Sequence, residues 1–300
     1  MRRRSCALVA IGMTAMAVLA AGCGDANPAR SAGGGPAPSG SGTVRVLYAG
    51  SLVNTMEHDL GPAFAKATGY RYQGYGAGST KIANEIKGKV RRGDVFISAN
   101  PEVNDTLMGS GGFVSWYVTL ARSPLVLAYN PKSTFADQLK NKPWYQVVAE
   151  PGFKLGRTDP KLDPKGELTG QAVKQLAKDK HRPGLEQKIL AGSKVFPEED
   201  LVGRLQAGQL DAGFFYSIET SELNLPTVSL APVHLSASYT ATVLGRAPNR
   251  RGGVAFVAFL LGDKGSKILR SHGFDLIRPA KVSGDASSVP KKLRAVVGAG

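Results

Sequence analysis

Cysteine is nearly absent from the sequence, and so are the motifs of common catalytic and metal sites. Only Cys6 and Cys23 occur among the 300 residues, and Cys6 lies in an apolar run near the start. A chain that loses this run cannot form an internal disulfide. The four histidines lack the spacing of metal ligands, and no Cys-x-x-Cys, Gly-x-Ser-x-Gly or Walker motif is present. We therefore predict no catalytic residue, no cofactor and no directly ligated metal ion, and a binding role is favoured over an enzyme.

The first 22 residues have the pattern of an export signal. Arg2–Arg4 form a positive start, Cys6–Ala21 is apolar, and small residues precede Cys23. We predict a lipoprotein signal peptide over residues 1–22 and lipidation of Cys23, which would hold the exported protein at the outer face of the cytoplasmic membrane. The alternative is an uncleaved anchor helix. Residues 23–42 are mainly Gly, Ser, Pro and Ala, which predicts a flexible tether.

Positive charge exceeds negative charge, with 38 Lys and Arg against 23 Asp and Glu and a net charge of +15. The basic residues are scattered, and no basic stripe interleaved with aromatic residues occurs. This distribution does not favour nucleic-acid binding. A positive surface that faces the cell wall and lipid accounts for it better.

Two Gly-Ser turns follow predicted strands early in the folded chain. Val44–Ala49 reads as a buried strand that ends at Gly50 and Ser51, and Gly76–Thr80 repeats the device with Ser79. A serine at a helix start can accept bonds from free backbone N–H groups, and such a start attracts anions. Capping alone explains one such turn. Two of them in one small domain predict a bound oxyanion.

Strands alternate with helices after residue 43, which predicts a parallel sheet with a binding crevice at its carboxyl edge. The strand over Asp94–Ala99 leads into a third turn at Ser98–Asn100, which would lie at the same edge. A long strand pattern over Trp116–Asn130 is interrupted by Pro124. We predict that the chain crosses into a second domain at Ala121–Pro124.

The second domain offers two further candidate positions for a ligand. The stretch Arg157–Gly166 contains two Asp-Pro pairs, and Asp163 suits the N-cap of a helix that begins with proline. Arg157 and Thr158 could face the crevice, and Tyr216 ends a buried strand where its hydroxyl could donate to a ligand. Each position also has a structural explanation, since Asp-Pro turns are common in loops and a buried tyrosine is often core.

The last part of the chain is predicted to return to the first domain near Pro226–Ala237. Phe274–Ile277 is the last strongly apolar segment. We expect the polar remainder to pack loosely.

Several of these stretches, in this order, resemble one known family. They are Ala49–Leu52, Gly78-Ser79, Asp94–Ala99, Thr158–Gly166 and Gly208–Gly213. They look like the molybdate/tungstate-binding lipoproteins of ABC transporters, particularly the archaeal-type tungstate branch, from Thr43 to about Pro279. The resemblance implies an α/β fold of the bilobal periplasmic-binding-protein type II, with two lobes joined by two crossing strands. It places residues 43–121 and 229–300 in lobe 1 and residues 122–228 in lobe 2.

The resemblance also implies which residues contact the oxyanion. The matching positions are Ser51, Ser79, Asp163 and Tyr216. Residues expected just behind them are Gly50, Thr80, Arg157 and Thr158. One position departs from the tungstate branch, because Phe215 stands where that branch has a glutamate that joins the aspartate as a metal ligand. We therefore expect a four-coordinate oxyanion held by hydrogen bonds, with Asp163 acting as a helix cap.

The expected function is capture of molybdate or tungstate by a monomer that delivers it to an ABC transporter permease. The first alternative is the same fold with sulfate, phosphate or a small organic anion, which Phe215 keeps open. A serine hydrolase that uses Ser51 is a remote alternative, since no paired base is evident. An adhesin or sensor partner without small-molecule transport is the third.

Overall fold

The computed structural model describes residues 40–109 and 111–297. The predicted signal peptide over residues 1–22, the lipidated Cys23 and the predicted tether up to residue 39 lie outside the described residues.

Strands and helices alternate along most of the described chain. The strands are β1 (Thr43–Ala49), β2 (Arg71–Ala77), β3 (Val95–Ser98), β4 (Trp116–Tyr129), β5 (Leu155–Thr158), β6 (Ser193–Phe196), β7 (Ala212–Tyr216), β8 (Thr227–Ser229), β9 (Ser236–Val243) and β10 (Asp275–Gly284). The helices are α1 (Gly61–Thr68), α2 (Ser79–Lys87), α3 (Pro101–Asp105), α4 (Ala136–Asn141), α5 (Trp144–Val147), α6 (Pro164–Asp179), α7 (Leu185–Gly192), α8 (Glu198–Gln206), α9 (Ser217–Glu222), α10 (Arg250–Leu261), α11 (Asp263–Ser271) and α12 (Lys291–Arg294).

Local sequence signals account for several helix ends. Gly69 ends α1 with a φ of 78°, a conformation that glycine adopts without steric cost. Asp163 caps α6, whose first residue is Pro164, so the predicted cap is confirmed. Asn249 caps α10, where its side chain accepts a bond of 3.0 Å from the Gly252 N–H.

The sheet is mixed rather than purely parallel. Its strand order is β2-β1-β3-β9-β4-β7-β5-β6, and β8 and β10 pair with β4. The pairs β1–β2, β1–β3, β5–β6 and β5–β7 are parallel, as expected from the alternation of strands and helices. The prediction is wrong for β4, β8, β9 and β10, which pair antiparallel. β4 carries the chain into the second lobe and β9 brings it back, whereas β10 pairs with β4 near the end of the described chain.

The long strand β4 joins the two lobes. Its first half pairs with β9 and β10, whereas its second half pairs with β7 and β8. Pro124 pairs with Ser236 and Leu125 pairs with Tyr216, so the partner strands change at this point. We call the part built on β1, β2, β3, β9, β10 and the first half of β4 lobe 1. The part built on β5, β6, β7, β8 and the second half of β4 is lobe 2. The exact lobe bounds stay a prediction.

The end of the described chain packs more firmly than its composition predicted. β10 runs antiparallel to β4, and Val289, Leu293 and Val297 are all buried. The expectation of loose packing after residue 277 is therefore wrong. Three apolar side chains spaced four residues apart bury one face of this segment, although most residues around them are polar. Within the described residues, no helix is long and apolar enough to span a membrane.

Candidate functional site: a buried polar cluster between the lobes

The turn after β1 carries Ser51 to the carboxyl edge of lobe 1, as predicted. Ser51 is buried inside a short 3₁₀ turn over Gly50–Leu52, and its side chain caps no helix. Its hydroxyl lies 2.9 Å from the hydroxyl of Tyr239 on β9. The predicted serine cap is therefore wrong, because the hydroxyl bonds to a neighbouring strand instead of the adjacent backbone.

Ser79 occupies the equivalent position after β2. It is the first residue of α2, and Gly78 takes the N-cap position without a side-chain bond. The Ser79 hydroxyl oxygen accepts a bond of 3.1 Å from the Ala99 N–H. The predicted cap is wrong here too, but the bond joins Ser79 to the turn after β3, which was expected at the same edge. The hydroxyl proton of Ser79 is not used in this bond and can be donated.

Lobe 2 contributes Asp163, Thr158 and Tyr216. The Asp163 Oδ1 accepts a bond of 3.2 Å from the Lys165 N–H, which is the cap of α6. The second carboxyl oxygen of Asp163 is buried and has no hydrogen-bond partner among the described residues, and the same holds for the hydroxyl groups of Thr158 and Tyr216. Thr158 lies near enough to Asp163 to lower the pKa of its carboxyl, yet the two groups do not form a hydrogen bond of good geometry.

These unpartnered atoms indicate a ligand-binding position. The described residues contain five such side-chain atoms, and three of them belong to Asp163, Thr158 and Tyr216. Buried polar groups without a partner cost free energy and are uncommon in folded proteins. Their concentration at the end of β5, the end of β7 and the start of α6 makes this place the candidate position for a polar ligand.

The two tyrosines of the site stay protonated at neutral pH. The rings of Tyr216 and Tyr239 meet edge to face with their centres 6.1 Å apart. Burial raises the pKa of both hydroxyl groups well above the ordinary value of 10.0. Each can therefore donate a hydrogen bond to an anion, and neither can act as an ionised base.

Sequence reasoning missed a buried ion cluster beside these residues. Lys165 is fully buried, and its ammonium group lies 2.8 Å from Glu219 Oε1 and 3.3 Å from Glu198 Oε1. Glu219 also accepts a bond of 2.8 Å from the Tyr216 N–H. A buried ammonium between carboxylates is satisfied only when its partners are also bonded, as they are here.

Glu198 connects the two lobes. It begins α8 in lobe 2, and its carboxylate accepts bonds from the N–H groups of Gly50 at 2.8 Å and Ser51 at 3.0 Å in lobe 1. A Cβ on Gly50 would lie only 2.6 Å from Glu198 Oε2, so a larger residue here would have to displace the Glu198 side chain. The backbone N–H groups after β1 thus bind a carboxylate of the protein itself, and their predicted contact with an external oxyanion stays a prediction.

The carboxyl groups of the cluster bind protons more tightly than usual. Burial and the nearby Asp163 raise the pKa of Glu198 to about 8, against an ordinary value of 4.5. Burial also raises the pKa of Asp163. Burial lowers the pKa of Lys165, but the carboxylates of Glu219 and Glu198 outweigh this effect and keep the ammonium charged.

Backbone contacts also join the lobes beside Asp163. The Lys81 N–H in α2 donates a bond of 3.0 Å to the Leu162 carbonyl. A Cβ on Gly78 would lie closer than 3.0 Å to the same carbonyl oxygen. The start of α2 therefore packs directly on the turn that carries Asp163, and only glycine allows this separation.

The other predicted positions lie at different distances from the cluster. Gly50 contacts Glu198, as described above, and Thr80 is half-buried in the first turn of α2. Arg157 points to β6, where its Nε donates a bond of 2.7 Å to Ser193. Phe215 is buried against Leu201 and Leu205, so it supplies no polar group.

The cluster contains the carboxylates of Glu198 and Glu219, although Phe215 itself provides none. Both oxygens of Glu198 and both oxygens of Glu219 already have partners, so Asp163 Oδ2 is the carboxyl oxygen of the cluster without one. Within the described part of the chain, no set of three or more His, Cys, Asp or Glu side chains is arranged to hold a metal ion. The unpartnered hydroxyl groups of Thr158 and Tyr216 can donate hydrogen bonds at this site.

Two clefts flank the cluster. A cleft of about 160 Å³ reaches Tyr216 between Ala99 of lobe 1 and Pro164 of lobe 2. A second cleft of about 290 Å³ reaches Ser51 and Glu198 from the other side.

Comparisons with known proteins agree with this arrangement. The model of a family described as bacterial extracellular solute-binding protein matches residues 44–275. An uncharacterised solute-binding protein of Petrotoga mobilis is 28% identical over 280 residues, which cover 80% of this chain and 85% of that protein. The molybdate/tungstate-binding protein WtpA of Pyrococcus abyssi is 25% identical over 324 residues, which cover 88% and 93%. A solved structure, the periplasmic molybdate-binding protein of Azotobacter vinelandii, has the same fold, with a TM-score of 0.63 at 19% identity over 78% of this chain and 100% of the other.

Proposed function

Because the chain belongs to the bacterial extracellular solute-binding protein family, we propose that it captures molybdate or tungstate and delivers it to the permease of an ABC transporter. The name of the Pyrococcus abyssi relative supports this cargo. The family is one of transport proteins, and we propose that the chain catalyses no reaction. The only partner of the Ser51 hydroxyl among the described residues is a tyrosine with a raised pKa, which cannot serve as a base.

The observation that carries the proposal is the group of unpartnered buried atoms on Asp163, Thr158 and Tyr216. A tetrahedral oxyanion has only acceptor oxygens, so it needs donors on several sides. Tyr216 and Thr158 would donate their hydroxyl protons, and Asp163, whose pKa is raised, would donate when protonated. Ser79 would donate from lobe 1, since its oxygen already accepts the Ala99 N–H.

This donor set favours a four-coordinate oxyanion. In the cluster, Asp163 Oδ2 alone is a carboxyl oxygen without a partner, so the site lacks the second free carboxylate that six-coordination would need. The donors also select against a protonated anion, because a hydroxyl of the ligand would face further donors. The metal would thus arrive inside the oxyanion and make no bond to a side chain.

We further propose that the protein is exported and held at the membrane through lipidated Cys23, and that it acts as a monomer. Replacing Cys23 by serine is expected to move the protein from the membrane fraction to the soluble fraction. Retention of Cys23→Ser in the membrane fraction would favour an uncleaved anchor helix.

A second candidate is the same fold with sulfate or phosphate as cargo. The observation that favours it is Phe215, whose buried ring leaves the site without a free second carboxylate that could distinguish molybdenum or tungsten from sulfur. All these anions are tetrahedral, so hydrogen-bond donors alone separate them mainly by size.

Thermal unfolding with each oxyanion in turn tests both candidates. A ligand at a hundred times its dissociation constant adds about 2.7 kcal/mol to the free energy of unfolding. We expect stabilisation by molybdate and tungstate, loss of that stabilisation in Ser79→Ala, and retention in the control Ser271→Ala at the exposed end of α11. Stabilisation by sulfate or phosphate alone would support the second candidate, and no stabilisation by any oxyanion would contradict both.

A further inference from the structure

The amino edge of the lobe 1 sheet lies opposite the candidate site. The strands β1 and β3 run parallel, and Ser51 and Ala99 follow their carboxyl ends. At the other edge, the start of β3 pairs with the end of β9, where Val95 faces Val243. The described chain also enters lobe 1 at this edge, because Thr43 begins β1 there.

This amino edge carries a concentration of exposed positive charge. Its exposed cations include Arg45, Lys89, Arg92, Arg246, Arg250 and Arg251. None of them forms an ion pair with a carboxylate of the described residues. The nearby acids are already occupied, since Asp94 is buried and accepts bonds from the N–H groups of Arg45 and Asn249, and Glu85 pairs with Arg91 at 2.6 Å.

Two of these cations occupy positions where a positive charge destabilises a helix. Arg250 and Arg251 occupy the first turn of α10, and no acidic residue is found in that turn. Positive charge at a helix start is unfavourable, because the helix dipole is positive there. Arg250 and Arg251 thus carry a small energetic cost that an external anion would offset.

A pocket with an apolar lining lies among the cations. A pocket of about 340 Å³ is lined by Ile86, Phe113 and Leu244 together with Arg92 and Arg246. The Arg246 guanidinium lies over the Phe113 ring at 5.0 Å. Beside the pocket, the side chain of Val90 is 79% exposed between Lys89 and Arg91. Exposed aliphatic and basic side chains side by side suit the boundary between headgroups and acyl chains.

We propose that this amino edge docks on the anionic phospholipids of the membrane surface, an inference that rests on the proposed anchoring through Cys23. A flexible tether of roughly 20 residues has an end-to-end distance of about 25 Å, so it would hold this edge close to the lipid. The membrane is chosen over a soluble polyanion because β1 begins at the basic edge, so the predicted tether before it would join lobe 1 there. Docking would point the candidate site away from the membrane, towards the external solution, so the protein must leave the surface before it meets the permease.

Vesicle binding of the unlipidated chain that begins at Gly24 tests this proposal. Its partition is measured on vesicles of phosphatidylcholine alone and on vesicles that also contain phosphatidylglycerol, at low and at physiological salt. We expect binding to the anionic vesicles only, and weaker binding as salt increases. The variant Lys89→Ser, Arg92→Ser, Arg246→Ser, Arg250→Ser should lose at least about tenfold in partition coefficient, since each such cation contributes near the surface.

A matched control removes the same charge from lobe 2. The residues are Lys174, Lys178, Lys188 and Lys194, which are exposed on α6, α7 and β6. Each is replaced by serine, and the control should bind like the parent. An equal loss in both variants would overturn the proposal, because net charge alone would then explain binding. Equal binding to neutral vesicles, or full displacement by inorganic phosphate at matched ionic strength, would overturn it as well.

The test of oxyanion capture and the test of membrane docking give independent results. The four-residue variant should keep the stabilisation by molybdate that the parent shows, because its substitutions lie at the opposite edge of lobe 1. Vesicle binding can therefore fail while oxyanion capture holds, and the reverse is also true.

Discussion

Tyr216 carries a buried hydroxyl that has no hydrogen-bond partner among the described residues. Tyr216→Phe removes this group alone. We expect an unchanged or slightly higher stability of the cargo-free protein, since an unsatisfied group disappears, and a loss of about 1.5–3 kcal/mol in molybdate binding. Calorimetric titration and thermal unfolding measure the two quantities. Tyr129→Phe, at the far end of β4, is the control and should bind normally. An equal loss in both variants would contradict a direct role for Tyr216.

Protonation of Glu198 should make oxyanion capture depend on pH. Its pKa is about 8 in the folded protein and 4.5 ordinarily. An acid with a raised folded pKa contributes stability that is fully present below the ordinary value and is lost as the pH rises through the raised value. The stability of the cargo-free protein should therefore decline between about pH 4.5 and pH 8.

The affinity for a dianion should also fall as the pH rises through about 8, because Glu198 then becomes charged near the ligand. For one proton, the loss approaches about tenfold per pH unit above that value. Titrations with molybdate from about pH 6 to about pH 9 measure the slope. Glu198→Gln should flatten it, and a slope that persists unchanged in this variant would refute the assignment.

Site residues at the end of a strand or the start of a helix could be predicted from the sequence. Residues that make contacts with distant parts of the chain could not. Ser51, Ser79, Asp163 and Tyr216 each end a strand or start a helix, where exposed backbone groups make a polar side chain informative. Lys165 and Glu198 lie in the first turns of helices, where charged residues usually face water. They are buried by contacts with residues far away in the sequence, Glu219 for Lys165 and Gly50 for Glu198, and one sequence contains no signal for these contacts.

At the scale of elements, α2 and the turn before α6 are the parts that must meet for the lobes to close. Gly78 lies against the Leu162 carbonyl with no room for a Cβ. Gly78→Ala should therefore disfavour the closed arrangement and lower molybdate affinity by about tenfold for each 1.4 kcal/mol of clash. Gly170→Ala in α6 is the matched control, because a Cβ added to Gly170 would have no atom within 4 Å. The control should bind normally and gain about 1 kcal/mol in stability.

Small-angle scattering separates this explanation from simple damage to the fold. Gly78→Ala should keep a cooperative thermal transition and show a larger radius of gyration with molybdate than the parent does. A variant that closes normally and binds normally would show that the Gly78 contact is unimportant.

The order of the elements is predictable because turns, caps and periodicity are local signals. The pairing of the strands is less predictable. The strand β10 is not evident from the sequence, since Asp275–Gly284 has exposed charged and small residues and no clear alternation, and only its pairing with β4 makes it a strand. The antiparallel pairing of β9 likewise depends on the return of the chain from lobe 2.

For the whole molecule, closure and cargo recognition rest on different residues. Glu222 at the end of α9 accepts bonds of 2.7 Å from Asn54 and from Thr55 in lobe 1, and it contacts His272. None of these groups belongs to the proposed donor set. Glu222 therefore holds the lobes together beside the cluster without touching the cargo.

Glu222→Ala should accordingly weaken closure and leave selectivity intact. Affinities for molybdate, tungstate and sulfate should fall by the same factor, because each must supply the same additional free energy to close the lobes. Asp163→Asn should instead change the ratios among the anions, since it alters a group that faces the ligand. Titration of each variant with the three anions gives the ratios, and Glu186→Ala on α7 is the control. A changed ratio in Glu222→Ala would show that closure and recognition are not separable in this protein.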